Sequence, residues 1–300
     1  MSSIVPVIIN ASAGNHHAAS RARTLSALFL AAGIQVDVRF AESGTDIDTL
    51  VRDAVSERPR MIIAAGGDGT ISTVAGALSG TEIVLGVLPF GTLNHFAKDL
   101  GIPLHLEAAV QNIIDDNVIA VDVGEVNGRV FINNSSLGMY PDMVRDRERQ
   151  ETRLGRGKWR SFAWASLSVL RRYPFLTVRI AVGSETRVFV TPIVFVGNNE
   201  YQMEGFRIGE RASLESGALS VYIVKKHGRA ALVRLSIGAL FGRHKQARDF
   251  EALTAAEFSI ETRRSQALVA ADGEVHRMSS PLHFRCRPRS LRVIVPRVVG

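Results

Sequence analysis

The sequence has few of the features that mark a secreted or membrane-spanning protein. It contains one cysteine, Cys286, which excludes an intramolecular disulfide and a cysteine-based zinc site. The N-terminal segment MSSIVPVIIN lacks the basic region and the longer apolar run of a signal peptide. No stretch approaches the roughly 20 uncharged apolar residues that a transmembrane helix needs. We therefore expect a cytoplasmic protein from a reducing compartment.

Composition and charge place the chain among ordinary globular proteins. It has 300 residues, of which 46% are hydrophobic and 22% charged, and this length suits two domains better than one. The net charge of +7 favours anionic partners such as nucleotides, lipid headgroups or nucleic acid. Since nothing besides this charge points to nucleic acid, we expect no nucleic-acid partner.

The first third of the sequence alternates strand and helix patterns. Apolar runs and alternation predict strands at residues 4–9, 34–40, 61–65 and 83–88. Helical spacing predicts helices at residues 18–32, 46–57, 71–79 and 92–100, with Gly33 as a C-cap. Repeated β-α-β units predict a parallel, doubly wound α/β domain, because parallel neighbours need crossover helices. We place this domain at residues 1–122.

The pattern changes to a strand-rich one from about residue 121. Strands are predicted at residues 121–123, 130–133, 176–182, 187–196, 219–224, 258–262, 268–271, 282–286 and 291–295, and helices at 158–172 and 230–241. This pattern predicts a C-terminal β-sandwich domain over residues 123–289. The last strand, at about residues 290–297, is expected to return to the first domain.

A glycine-rich loop, GGDGT at residues 66–70, lies between a predicted strand and a predicted helix. Backbone N–H groups and a helix N-terminus there would face a bound anion, and glycines let a phosphate approach closely. A plain tight turn is the structural alternative. The spacing matches neither the Walker loop nor the dinucleotide fingerprint.

Two further polar loops follow predicted strands of the same domain. Residues 89–97, PFGTLNHFA, come one β-α unit after GGDGT, and residues 10–14, NASAG, follow the first strand. The carboxyl ends of parallel strands share one sheet edge, so the three loops should converge there. Thr92 is also a candidate N-cap of the next helix.

These residues resemble the diacylglycerol kinase catalytic family, which includes sphingosine kinases and bacterial soluble lipid kinases. The matching pieces span almost the whole chain in the family's order: NxxxG at 10–14, GGDGT at 66–70, PxGTxNxFA at 89–97, VDVG at 121–124, FINxxxxG at 131–138 and DGE at 272–274. The resemblance implies an N-terminal nucleotide domain, a C-terminal β-sandwich, and an ATP-dependent lipid kinase that acts in phospholipid biosynthesis on diacylglycerol or a related lipid.

The resemblance also implies roles for individual residues. ATP would be bound by Asn10, Ala11, Ser12, Ala13, Gly14, Gly66, Gly67, Asp68, Gly69, Thr70, Ile71, Ser72, Thr92 and Asn94. Asp68 would orient the phosphates through Mg²⁺. Glu274, or else Asp272, would take the proton from the lipid hydroxyl, since an alcohol that attacks a phosphate must lose a proton. For Asp272-Gly273 the structural alternative is a type I′ hairpin turn.

Some positions depart from the family's pattern. Ser72 and Thr73 stand where many members have Asn-Glu, and His95 replaces an acidic residue. The family often has an Asp-Asp-Gly segment that helps to hold a structural Mg²⁺, and the matching residues 214–217 have Ser216 instead of a carboxylate. Because Mg²⁺ prefers anionic oxygen ligands, we do not expect that structural site in its usual form.

The partner of the chain is expected to be a lipid at a membrane surface. Residues 145–160 carry seven Arg or Lys against three Asp or Glu and lead into aromatic residues, an order suited to an anionic interface at the inner membrane face. A solvated loop with core aromatics explains the segment equally well. A homodimer is possible as well. Two alternative functions stay open, a kinase acting on NAD and a catalytically weak nucleotide- or lipid-binding regulator.

Overall fold

The chain folds into two compact units, one formed by Met1–Val123 with Arg287–Gly300 and the other by Gly124–Cys286. The computed structural model describes residues 4–10, 18–42, 44–138, 175–204, 207–211, 213–224 and 250–297. The first unit is an α/β fold and the second consists of antiparallel strands.

The first unit is built on a parallel sheet. Its strands are β1 (Val5–Asn10), β2 (Val36–Ala41), β3 (Met61–Gly66) and β4 (Val84–Pro89), and its helices are α1 (Ala18–Ala31), α2 (Gly44–Ser56), α3 (Asp68–Leu78), α4 (His95–Asp99) and α5 (Leu106–Asp115). Two strands pass from one unit into the other, β5 (Val118–Val126) and β18 (Leu282–Ile294). The sheet order is β2-β1-β3-β4-β18, with Val293 of β18 beside Leu85 of β4 in parallel.

The core of the first unit explains why its helices lie where they do. Leu25 and Phe29 of α1 and Ile113 of α5 are buried against the same side of β1 and β3, whose inward residues alternate along each strand. Gly33 has a φ of +77°, as the C-cap prediction requires, and Ile34 N–H donates to Phe29 O at 2.9 Å. The predicted parallel α/β fold is confirmed.

The second unit contains antiparallel strands in sequence order: β6 (Arg129–Phe131), β7 (Asn134–Gly138), β8 (Leu176–Val182), β9 (Glu185–Thr191), β10 (Ile193–Asn198), β11 (Tyr201–Glu204), β12 (Arg207–Arg211), β13 (Leu219–Val224), β14 (Phe250–Ala255), β15 (Glu257–Thr262), β16 (Gln266–Ala271) and β17 (Glu274–Ser279). One sheet has the order β14-β13-β10-β7-β16-β17, and the other includes β18-β15-β8-β9. Phe131, Phe258 and Phe284 lie in a core shared with Leu137 and Val196 of the first of these sheets. The sandwich-like arrangement predicted from the sequence is confirmed.

Several predicted elements differ from the observed ones. The strand predicted at 187–196 is two strands that meet at Pro192, and those at 282–286 and 291–295 are parts of one strand, β18. Helix α5 and strands β7, β11, β12, β14 and β17 were not predicted. The helices predicted at 158–172 and 230–241 lie outside the described residues. None of the helices among the described residues has the length and apolarity needed to cross a membrane.

Candidate functional site

The phosphate loop is shorter than the sequence predicts, because α3 begins inside it. Gly67 is extended (φ −85°, ψ −177°) and occupies the N-cap position, so Asp68, Gly69 and Thr70 form the first helical turn. The hydrogen bond from Ile71 N–H to Gly67 O, at 3.1 Å, closes that turn. The first N–H groups of a helix have no partner within the helix, and together with the helix dipole they favour an anion.

Asp68 carries an oxygen suited to a cation. Its Oδ1 atom is shielded from solvent and has no hydrogen-bond partner among the described residues. A buried carboxylate oxygen without a partner is costly, and a bound cation or ligand group removes that cost. The residue therefore fits a divalent cation held mainly by phosphate oxygens and water, as Mg²⁺ commonly is.

The second loop touches the first through backbone atoms. Phe90 N–H donates to Gly66 O at 2.8 Å, where β4 ends beside β3. A Cβ atom added to Gly91 would lie 2.6 Å from the Cα of Gly67 and 2.7 Å from Oδ1 of Asn94. Glycine is required at position 91 because no larger residue allows this approach.

Asn94 shapes the second loop, and Thr92 does not cap the helix after it. Asn94 has left-handed backbone angles (φ 51°, ψ 48°), and its Nδ2 donates to Gly91 O at 2.8 Å. Helix α4 consequently starts at His95, three residues later than predicted, with Asn94 at its N-cap. Thr92 is exposed ahead of the helix, so the structural alternative that it caps α4 is excluded.

The end of β1 joins the same loop cluster. Asn10 Nδ2 donates to Thr70 Oγ1 at 3.3 Å, and Thr70 is buried against Gly66. The remaining residues predicted for this loop, Ala11, Ser12, Ala13 and Gly14, lie outside the described residues. The structure thus brings the described parts of the three loops to one edge of the sheet, as the sequence predicts.

Two residues that the sequence assigns to the nucleotide site, Ile71 and Ser72, lie beyond the first turn of α3. Ile71 is fully buried in the core, and its N–H is used within the helix. Its side chain therefore packs in the core, and its assignment to the nucleotide site stays a prediction. Ser72 is half-buried.

In the second unit, the late acidic motif forms the turn between β16 and β17. Asp272 and Gly273 have positive φ values of 46° and 88°, the signs that a type I′ turn requires at both central positions. Ala271 pairs with Glu274 across this turn. The hairpin that the sequence offered as a structural alternative is present.

The Asp272 carboxylate accepts hydrogen bonds from three backbone N–H groups. Oδ2 accepts the N–H of Ile132 at 2.7 Å, and Oδ1 accepts those of Asn133 and Asn134 at 2.8 and 3.0 Å. Residues 132–134 connect β6 to β7, and we call them the corner segment. Two motifs that are distant in sequence, FINxxxxG and DGE, are therefore held together by one carboxylate.

A buried arginine holds the other side of the corner segment. Arg211 is 6% exposed, and its guanidinium donates to Ile132 O at 2.6 Å and to Asn133 Oδ1 at 3.0 Å. Asn198 Nδ2 also donates to Ile132 O, at 3.0 Å, and Tyr201 O–H donates to Asn133 O at 3.0 Å. Sequence reasoning missed Arg211 because no local pattern distinguishes it from a surface arginine.

Glu274 lies at the surface beside two basic groups. Its side chain is 49% exposed, and Oε2 accepts a hydrogen bond from Arg129 Nη2 at 2.6 Å. His276 Nε2 lies 3.5 Å from the same oxygen. Burial and the Arg129 cation lower the pKa of His276, and the Glu274 carboxylate partly opposes that shift.

Ser216 stands in the segment, residues 214–217, where the family often has an acidic residue. Ser216 Oγ accepts a hydrogen bond from Asn199 Nδ2 at 3.0 Å, and Asn199 is buried. In the part of the chain that the structure describes, no group of three or more His, Cys, Asp or Glu side chains is placed to hold a metal. The basic segment 145–160 lies outside the described residues.

Comparison with family models gives two matches that together cover most of the chain. Residues 5–126 match the diacylglycerol kinase catalytic domain. Residues 140–295 match the YegS C-terminal NAD kinase beta sandwich-like domain. The gap between the matches follows the first boundary between the two compact units, at residues 123–124, and the second match runs past their second boundary, at residues 286–287.

Curated relatives carry kinase names. The chain is 27% identical over 300 residues to a diacylglycerol kinase of Mycobacterium tuberculosis (strain H37Rv), covering 98% of this chain and 95% of that protein. It is 29% identical over 222 residues to a diacylglycerol kinase of Bacillus subtilis, covering 72% of each. A probable YegS-like lipid kinase of Pseudomonas syringae is 41% identical over 108 residues, 35% of each chain. An uncharacterised Synechocystis protein is 27% identical over 91% of this chain, and the match spans only 63% of that protein's length.

Solved structures support the fold. A putative diacylglycerol kinase of Bacillus anthracis superposes with a TM-score of 0.73 at 23% identity, covering 99% of this chain and 98% of the other. With two family models matched in order and the loop geometry in place, the chain belongs to the diacylglycerol kinase catalytic-domain family, a family of lipid kinases, with a YegS-type β-sandwich domain at its C-terminus.

Proposed function

We propose that the chain is an ATP-dependent lipid kinase that transfers the γ-phosphate to a hydroxyl of diacylglycerol or a related lipid. The observation that carries this proposal is the backbone contact between the GGDGT loop and the Gly91 loop, at the N-terminus of α3. Both loops belong to the part of the chain that matches the catalytic domain. A kinase of this family requires ATP and a divalent cation, and we propose Mg²⁺.

The geometry supports a nucleotide role for the start of α3. An added Cβ atom at Gly69 would meet no described atom within 4 Å, so that side of the turn is open. Phosphate oxygens can approach the N–H groups there without displacing a side chain. The proposed contacts are Asn10, Gly66, Gly67, Gly69, Thr70, Ser72, Thr92 and Asn94, with Asp68 toward the cation. A divalent cation would neutralise part of the phosphate charge during transfer.

Glu274 is the better candidate for the general base. Asp272 already accepts three backbone N–H groups, which occupy most of the acceptor positions of its carboxylate. Glu274 is half-exposed, and Oε1 has no hydrogen-bond partner among the described residues. In the proposed step the lipid O–H gives its proton to Oε1 while its oxygen bonds to the γ-phosphorus. The bond from that phosphorus to the bridging oxygen breaks, and ADP leaves with the electron pair.

The lipid would be met at a membrane surface by peripheral contact. This part of the proposal rests on the family and on the basic segment 145–160 of the sequence. The cytoplasmic location, at the inner membrane face, and the homodimer stay predictions from the sequence.

Site-directed variants test the proposal with purified diacylglycerol in vesicles and γ-labelled ATP. Glu274→Gln removes the base and is expected to lower kcat by about 10²–10⁴-fold, the usual contribution of general-base catalysis. Asp68→Asn should weaken the binding of Mg²⁺ and so raise the Mg²⁺ concentration that gives half of the maximal rate. Glu257→Gln, at an exposed acid on β15, is the matched control and should behave as wild type. Full activity of Glu274→Gln on every lipid alcohol offered would overturn the assignment of the base.

A further inference from the structure

Three ionisable side chains meet where β17 begins. Glu274 and His276 are two residues apart on one strand and therefore point to the same face of it. Arg129, on β6, reaches Glu274 Oε2 at 2.6 Å, and His276 Nε2 lies 3.5 Å from that same oxygen. Oε2 of Glu274 thus lies beside both the Arg129 guanidinium and the His276 ring. Oε1 has no hydrogen-bond partner among the described residues.

The backbone positions of Arg129 and Glu274 are fixed by one structural feature. The corner segment follows directly after β6, which carries Arg129. Asp272 binds that segment from the turn directly before β17, which carries Glu274. The distance between the backbones of Arg129 and Glu274 therefore depends on the Asp272 hydrogen bonds rather than on the ion pair itself.

The ion pair has little to contribute to stability. The side chains of Arg129 and Glu274 are 45% and 49% exposed, and ion pairs at such exposure are weak because water and salt screen them. The ion pair matters more for the orientation of the Glu274 carboxylate than for the free energy of unfolding. By holding Oε2 from one side, Arg129 restricts the rotation of the carboxylate, while Oε1 takes no part in that hydrogen bond.

His276 is placed to change that geometry when it is protonated. Nε2 is shielded from solvent, and no described group forms a well-aligned hydrogen bond with it. The charged groups that bear on it are Arg129 from β6 and Glu274 from its own strand, while its cross-strand neighbour on β16 is the uncharged Val269. Burial and Arg129 lower the pKa of His276, so the ring is neutral at neutral pH.

We propose that Arg129 and His276 are positioning residues for Glu274, with Arg129 orienting its carboxylate and neutral His276 leaving it free to accept a proton. Protonation of His276 places a second cation beside Oε2. Two cations beside Oε2 stabilise the ionised carboxylate and make it a poorer base, so the rate falls when His276 is protonated. This inference rests on the proposed role of Glu274 as the base.

The activity test is the pH dependence of kcat at saturating ATP and lipid. In wild type, the acid limb should follow His276 and lie below its usual value of about 6.5. In His276→Gln, the acid limb should move to lower pH, because no imidazole remains to be protonated beside Oε2. His283→Gln, at an exposed histidine of β18, is the matched control and should keep the wild-type profile. An acid limb of His276→Gln that superimposes on wild type would overturn the role of His276.

Two substitutions test the role of Arg129, one that removes its positive charge and one that keeps the charge but changes the shape of the side chain. Arg129→Gln should lower kcat about tenfold, a loss typical of misplaced acid–base groups, with little change in KM for ATP. Arg129→Lys should restore most of the rate, because one N–H donor suffices for the observed contact. Arg277→Gln removes an arginine from the opposite face of the same strand and should leave kcat unchanged. Equal rates for wild type and Arg129→Gln would contradict the proposal.

An NMR titration of the His276 ring separates this inference from the proposed function, since it needs no substrate. The pKa of His276 should rise in Arg129→Gln, which removes a cation, and fall in Glu274→Gln, which removes an anion. If these shifts occur but no lipid is phosphorylated, the proposed function fails and the coupling stands. If neither variant moves the pKa, the coupling is refuted whatever the activity.

Discussion

Replacing Gly69 with alanine should raise stability and lower activity together. Gly69 is the second residue of α3, has no described atom within 4 Å of an added Cβ, and has no positive φ that glycine alone could adopt. Glycine in a helix interior costs about 0.5–1 kcal/mol relative to alanine. In the first turn we expect the lower end, about 0.5 kcal/mol, which raises Tm by roughly 1–2 °C in a protein of this size.

The same methyl group would occupy the side from which phosphate approaches in the proposed complex. Displacing a reacting phosphate by about 1 Å can cost 10²-fold in rate, and we expect a loss of about that size in kcat/KM for ATP. Thermal unfolding and the labelled-ATP assay measure the two effects on one preparation. A Gly69→Ala variant with wild-type activity would refute phosphate binding at this turn, and a lower Tm would refute the open geometry.

Other substitutions separate structural from catalytic roles. Gly91→Ala would place a Cβ 2.6 Å from a backbone Cα, and such overpacking should cost about 1–3 kcal/mol in the free energy of unfolding. Asp272→Ala leaves three backbone donors without their acceptor and should cost about 3 kcal/mol, whereas Glu274→Gln should cost under about 0.5 kcal/mol, as measured by denaturant unfolding. Because the pKa of His276 is lowered in the folded chain, its contribution to stability is fully present above the unfolded value of about 6.5 and is lost as pH falls from there through the lower pKa of the folded chain. His276→Gln should therefore lose less stability than wild type between pH 7 and 5, and equal losses would contradict this sign.

Local patterns predicted the first unit well because its strands are short apolar runs between loops. The start of α3 was placed three residues too late, since glycines at 67 and 69 disfavour a helix interior and the extended Gly67 at the N-cap leaves no side-chain signature. Helix α5 was missed although Leu106, Val110 and Ile113 have helical spacing, with Glu107 in the first turn.

The environment of the DGE turn could not be predicted from its sequence. Asp272 binds Ile132 and Asn134, which precede it in the sequence by 140 and 138 positions. Arg211 binds Ile132 from 79 positions away. Only the folded sandwich brings these residues together. Strand β17, EVHRMS, was missed because its exposed and half-buried residues do not alternate cleanly in polarity. The DGE motif could be located in the sequence, whereas its hydrogen-bonding partners had to come from the structure.

The most direct test of the account is to incubate the chain with γ-labelled ATP and Mg²⁺, adding in parallel a mixed lipid extract and NAD, and to identify the labelled product. We expect a labelled phospholipid, formed by wild type and strongly reduced in Glu274→Gln. Labelled NADP with no labelled lipid would contradict it.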